Sequence, residues 1–324
     1  MRNPSGEQYE IAHDDQRVVV VEVGGGLRAY AVGTSDLLDG YGGDEMATAG
    51  RGQVLAPWPN RLQDGNYEFE GRRHQLPLNE PEHANAIHGL VRWEAWEERE
   101  REQHRVVLGH VIHPRPGYPF TLELRVAYEL SDGGLAVRTT ATNVGTDPCP
   151  FGSGAHPYFS VGTATVDDIV LRVPARTALR SDERGIPVDT LPIEGTDLDF
   201  RTARPIGGAK LDQGYTDLER GDDGLARVEL RARDGRRGVT LWVDEGYPYL
   251  MVFTGDLPAV ERRGLAVEPM TCAPNAFRSG DGLVRLEPGA AVTTSWGIAP
   301  RASASSRCHD SGAAGSRELG PPMP

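Results

Sequence analysis

The sequence predicts an all-β protein, a large antiparallel β-sandwich. Three observations carry this reading. The dominant hydrophobic period is two, turns rich in Gly and Pro separate the alternating runs, and amphipathic helical periodicity is scarce. Strands that follow one another without intervening helices argue for antiparallel sheets rather than a βαβ fold. The 324 residues include 40 Gly and 24 Pro, in keeping with many turns. A chain of this length supports either two ordinary domains or one large β domain. Residues 1–300 are read as one sandwich domain.

The elements follow in order. Residues 18–23 and 27–32 flank Gly24-Gly25-Gly26 and read as a hairpin. Residues 67–70 and 73–76 around Gly71 form a shorter one. In residues 121–130, Leu122, Leu124, Val126, Tyr128 and Leu130 share one face, while Thr121, Glu123, Arg125 and Glu129 take the other. Ser131-Asp132-Gly133-Gly134 is a turn cluster able to supply positive φ. Leu135, Val137, Thr139 and Ala141 then alternate again. Residues 91–93, 169–173, 228–232, 239–243, 249–254 and 292–297 are further strands. Residues 95–103 are charged on every side and fit helix, strand or loop. From residue 301 the chain turns to Ser, Ala, Gly and Pro without an apolar period, and is expected to be a disordered tail. Cys308 and His309 fall in it and receive no chemistry.

Net charge is −13, so nucleic acid and anionic membrane surfaces are unfavourable partners, whereas a neutral sugar fits without strain. The three cysteines, Cys149, Cys272 and Cys308, make neither a CxxC pair nor a zinc pattern, and their small odd number suits a reducing compartment. The first eight residues are polar, and no run approaches the roughly 18 apolar residues of a membrane span. A cytoplasmic protein with no signal peptide is expected.

Several segments break the strand grammar. Residues 56–62, Ala-Pro-Trp-Pro-Asn-Arg-Leu, form a stiff loop in which Trp58 offers an apolar plate and Arg61 a hydroxyl-binding guanidinium. Residues 85–90, Asn-Ala-Ile-His-Gly-Leu, place His88 beside Gly89, which permits close backbone approach. In residues 151–159 two glycines and Pro157 constrain His156, with aromatic residues following. A rigid His near neutral pKa suits general acid work. His74, His83, His104, His110 and His113 lie in charged or strand contexts and read as inert. Glu268 ends an apolar run before Pro269, and a carboxylate there is costly unless paired or used. Asp212 is an acidic turn residue. Two His and one Glu also make a zinc set, but HxxxH or HxH spacing is absent, as are a phosphate loop and a GxSxG elbow. No metal or cofactor is expected.

Together, Pro57-Trp58-Pro59-Asn60-Arg61, Asn85-Ala86-Ile87-His88-Gly89-Leu90, Gly154-Ala155-His156-Pro157-Tyr158-Phe159, and Glu268-Pro269 with Asn275-Ala276-Phe277 resemble the aldose 1-epimerase (galactose mutarotase) family. The motifs occur in the family's order across about residues 10–300. The resemblance implies a large antiparallel sandwich with the sugar on its concave face. It implies Glu268 as catalytic base, His156 as catalytic acid and His88 as the second His, which holds or polarises the ring oxygen. Arg61 and Asp212 are implied as sugar binders, with Asn60 and Trp58 beside them. Gln213-Gly214-Tyr215 departs from the common neighbourhood of that Asp. Glu268-Pro269-Met270-Thr271 departs from the Glu-Thr-Gln of many galactose mutarotases, which bears on the identity of the sugar.

The implied reaction is cofactor-free. A base takes the C1 hydroxyl proton, an acid protonates the ring oxygen, and the open aldehyde rotates and recloses. Unperturbed Glu at roughly 4.3 is ready to accept a proton, and a nearby Glu268 charge is expected to raise His156 from roughly 6.5. Two alternatives stay open on the same fold. One is a hexose-phosphate 1-epimerase, for which Arg92, Arg184 and Arg204 are available cations. The other is a sugar-binding module without turnover.

Overall fold

The computed structural model describes residues 2–258 and 260–301. Cys308, His309 and the tail expected beyond Arg301 lie outside the described residues.

Two large antiparallel sheets dominate. The first has nine strands in the order Glu97–Arg101, Arg105–Ile112, Leu122–Ser131, Gly134–Asn143, Ala291–Pro300, Gly238–Val243, Ala226–Ala232, Ile169–Arg172 and Arg204–Pro205. The second has eight strands. Its main path runs Pro187–Pro192, Ala175–Ser181, Asp212–Leu218, Tyr249–Phe253, Leu265–Met270, Gly154–Ala155 and Val54–Leu55, with Tyr158–Phe159 also paired to Leu265–Met270. The hairpins at Gln16–Val21/Leu27–Val32 and Asn66–Phe69/Arg72–Gln75 form where the glycine turns place them. The all-β architecture follows.

The alternation predicts burial. Leu122, Leu124, Val126, Tyr128 and Leu130 are all buried, and so are Leu135, Val137, Thr139 and Ala141 across the Ser131–Gly134 turn. Residues from both sheets, such as Val126, Val228, Leu250 and Val267, share one hydrophobic cluster. Side chains that alternate on facing sheets fill a sandwich core in this way.

Two local expectations resolve differently. The charged window 95–103 contributes an edge strand, Glu97–Arg101, whose five residues are all exposed. Charged side chains suit an edge, where they discourage further pairing. Residues 91–93 form a turn instead of a strand. Glu94 N–H donates to the Val91 oxygen, and the Arg92 carbonyl accepts from Gln53 Nε2, so this backbone has no strand neighbour.

Candidate active site

The segments that broke the strand pattern meet on the eight-stranded sheet. Glu268 lies inside the strand Leu265–Met270, all six of whose residues are buried. The strand runs on through Pro269, so Glu268 is interior to it and not at its end as expected. His156 occupies the short link between Gly154–Ala155 and Tyr158–Phe159, both of which pair with that strand. His156 Nε2 and Glu268 Oε1 are 3.3 Å apart. The His88 and His156 rings lie 5.3 Å apart, edge to face. Only 8%, 4% and 2% of His88, His156 and Glu268 is exposed, so the three chemical groups sit in a nearly dry setting.

Local backbone geometry aims His88. It has φ of 62° and follows the strand Asn85–Ile87, which pairs with Arg61–Gln63. Gly89 next to it is obligatory, because a Cβ there would fall 2.0 Å from the Ala56 oxygen. Asn60 and His88 bind reciprocally. The His88 N–H donates to the Asn60 oxygen at 2.9 Å, and the Asn60 N–H donates to His88 Nδ1 at 3.2 Å. An Nδ1 that accepts a hydrogen bond leaves the ring proton on Nε2. His88 is therefore a fixed neutral donor. Burial, then the charge of Arg92, hold its pKa well below the usual imidazole range.

Burial also overturns the expected protonation of the pair. Glu268 is pushed well above the ordinary carboxylate value, first by desolvation and then by Asp212, with Arg61 opposing. His156 is pushed down, first by desolvation and then by Arg92. The expected rise in His156 from its carboxylate neighbour is outweighed, because desolvation penalises either charge. Both shifts favour the uncharged forms of the two groups. His156 Nδ1 and Glu268 Oε2 are buried without a hydrogen-bond partner among the described residues.

Arg61 and Asp212 are the charged neighbours acting on Glu268. Arg61 Nε donates to both Glu80 oxygens at 3.0 Å, and its Nη1 lies 3.4 Å from Asp212 Oδ2. Asn85 Nδ2 fixes Glu80 in turn at 2.8 Å. Arg61 and Asp212 line a polar cavity of about 280 Å³, with His83, Asp182, Glu183 and Gln213 around it. That volume is near the lower end of the roughly 300–1,000 Å³ usual for ligand pockets. The ligating atoms of His88, His156 and Glu268 lie within 4.8 Å of one another, near enough to share one ion.

The sequence profile of the aldose 1-epimerase family matches residues 7–298. The chain belongs to the aldose 1-epimerase family. It is 35% identical to the uncharacterised Escherichia coli protein YihR over 88% of this chain and 90% of that one. It is 28% identical to the galactose mutarotase of Rattus norvegicus over 65% of this chain and 66% of that one. The solved structure of an aldose epimerase homologue from C. elegans superposes with a TM-score of 0.82 at 17% identity, covering 92% of this chain and 99% of its own. Fold and family resemblance therefore agree.

Within this aldose 1-epimerase framework, the structure brings together His88, His156, Glu268, Arg61 and Asp212. Asn60 stands behind His88 and is itself 3% exposed. Trp58 departs from its expected place. Only 4% of it is exposed, and its ring packs 5.5 Å from Phe277 within the main core. A rigid loop buries its largest apolar surface before it offers that surface to a ligand, so Trp58 anchors the loop and presents no stacking plate. Sequence reasoning gave Glu80 and Asn275 no role of their own, Asn275 entering only within the Asn275-Ala276-Phe277 motif. Asn275 donates its N–H to the Arg61 oxygen at 2.6 Å and bonds Gln63 N–H through its side chain. Both act only through the neighbours that folding supplies. The charged Asn79-Glu80-Pro81 turn was the one local signal for Glu80.

Proposed function

We propose that the protein interconverts the α and β anomers of a free hexose by ring opening and reclosure, without a cofactor. The single observation that carries this reading is the 3.3 Å contact between His156 and Glu268, a buried imidazole–carboxylate pair with His88 beside it. Ring opening removes a proton at O1 and adds one at the ring oxygen, so it needs one vacant and one filled proton site at once. A pair holding one proton satisfies both needs at constant total charge.

In this reading Glu268 takes the O1 proton and His156 delivers one to the ring oxygen, with the roles reversed on closure. The working charge-separated form arises when Glu268 passes its proton to His156. Arg61, which already pulls Glu268 toward its ionised state, favours that form. His88, donating from Nε2, orients the ring oxygen or an adjacent hydroxyl. Arg61 and Asp212 hold sugar hydroxyls. Groups of this type contribute roughly 10²–10⁴-fold each.

A second reading, a hexose-phosphate 1-epimerase, is favoured by one specific observation. Arg184 is committed to Asp64 and to the His83 oxygen, and Arg204 to the Asp199 oxygen and the Phe200 ring. Among the described residues no carboxylate pairs with Arg92, and burial lowers its pKa. Its charge is the strongest neighbouring one acting on both His88 and His156. An unmatched cation beside the imidazoles suits an anionic substituent on the sugar. Exchange NMR on glucose, galactose, glucose 6-phosphate and glucuronate decides between the readings. Acceleration on neutral hexoses, unchanged by Arg92→Gln, supports the first. A preference for either anion that Arg92→Gln abolishes supports an anionic aldose. Binding of sugar with no acceleration on any substrate removes the enzyme reading.

A further inference from the structure

Beside His156 stands a buried column that the reaction as described does not use. The Tyr158 ring stacks on His156 with centroids 5.1 Å apart and planes within 8°. The Arg51 guanidinium lies over the Tyr158 ring at 5.2 Å. Arg51 in turn meets Asp39 at 3.0 Å, with the Arg51 side chain 5% and the Asp39 side chain 17% exposed.

The surrounding backbone locks this column to the His156 turn. The Gly52 N–H donates to the His156 oxygen at 2.9 Å, and the Asp39 N–H donates to the Tyr158 oxygen at 2.8 Å. The Tyr158 hydroxyl reaches the Ala49 oxygen at 3.2 Å. Gly50 closes against the imidazole itself, since a Cβ there would lie 2.8 Å from His156 Cδ2. Arg51 Nη2 meets Asp39 as an ion pair outside hydrogen-bond alignment, and Nε is buried without a hydrogen-bond partner among the described residues. A guanidinium so poorly satisfied is costly in a core. An apolar side chain of similar length would fill the space at lower cost.

We propose that Arg51 is a positioning residue for His156, acting through the stacked Tyr158 ring. Cation–π attraction holds the Tyr158 ring flat, and the flat ring holds the imidazole plane toward Glu268. The catalytic groups of an acid–base pair lose rate steeply when one is displaced; a shift near 1 Å costs up to about 10²-fold. The inference rests on the anomer-exchange reading for its kinetic readout, and a wild-type protein without exchange would end that reading first.

The test is a double-mutant cycle between Arg51 and His156, followed by exchange NMR, with the His156 imidazole ¹⁵N signals read alongside. Arg51→Met is expected to lower kcat by roughly tenfold to a hundredfold with KM within about twofold. Arg51→Lys is expected to recover part of that loss, and Tyr158→Phe to stay within about twofold of wild type because the ring remains. In a His156→Asn background, Arg51→Met is expected to change kcat by less than about twofold, since its effect runs through the imidazole. A rise in KM at unchanged kcat, or an equal loss in both backgrounds, overturns the proposal. If Arg51→Met does not fold, the Arg51→Lys cycle carries the same test. The imidazole signals decide without activity: a shift or broadening in the Arg51 variants supports the column, and unchanged signals refute it.

Discussion

The nine-stranded sheet and the eight-stranded sheet face one core but obey different rules. In the first, Leu122–Ser131 alternates buried and partly or fully exposed residues along its length. In the second, Leu265–Met270 is buried throughout and carries a carboxylate in its middle. Around it the pairing strands shrink to two residues each at Val54–Leu55, Gly154–Ala155 and Tyr158–Phe159. Asn60, His88 and Asn275 all adopt left-handed backbone near it. A regular sheet stabilises by repetition, whereas the site sheet interrupts repetition wherever a side chain must be aimed. Local strain and buried polarity gather where function is placed and are offset by regular packing elsewhere.

The sharpest way to break this contrast is in the proton pair. Glu268→Gln and His156→Asn are each expected to lower the anomer-exchange rate by at least about a hundredfold, measured by polarimetry on a fresh single anomer. The same Glu268→Gln protein is expected to melt higher than wild type at pH 8, with the gap shrinking toward pH 4. The sign follows from linkage. Folding raises the Glu268 pKa above 4.5, so this group's stabilising contribution is full below that value and is lost as pH rises through the folded value. Gln carries no such loss. A variant that is less stable at pH 8 than wild type would mean that Glu268 supports the fold as an anion.

A cut in the regular sheet should do the reverse. Leu124 is fully buried on the alternating face. Leu124→Ala is expected to cost about 2–5 kcal/mol, read as a fall in denaturant midpoint, with kcat per folded molecule unchanged. A lost kcat at full folding would erase the division of labour between the sheets.

The smallest effect sharpens the role of the stiff loop. Trp58→Phe removes part of an aromatic anchor against Phe277 and is expected to cost about 0.5–3 kcal/mol with KM within about twofold. A tenfold rise in KM without a stability change would return Trp58 to the sugar.

Much of the site was legible as composition. Gly89 beside His88, Gly154 before His156 and Pro269 after Glu268 are local interruptions of the strand grammar in the sequence. The matching motif order joined them to one family. Illegible residues were those whose meaning is wholly relational. Glu80 matters because Arg61 faces it, and Asn275 because the Arg61 strand passes beside it. Residues 91–93 carried strand-like composition and became a turn because no neighbouring strand was there to pair with them.

Alternation of period two, glycine turns and the order of four short motifs determined the all-β class, the hairpins and the family, because these depend on near neighbours along the chain. Tertiary structure alone decided the desolvation of the His156–Glu268 pair, the burial of Trp58 and the placing of Arg51 over Tyr158. Each of these turns on desolvation or on contact between segments far apart in sequence, and neither quantity exists until the chain has closed on itself.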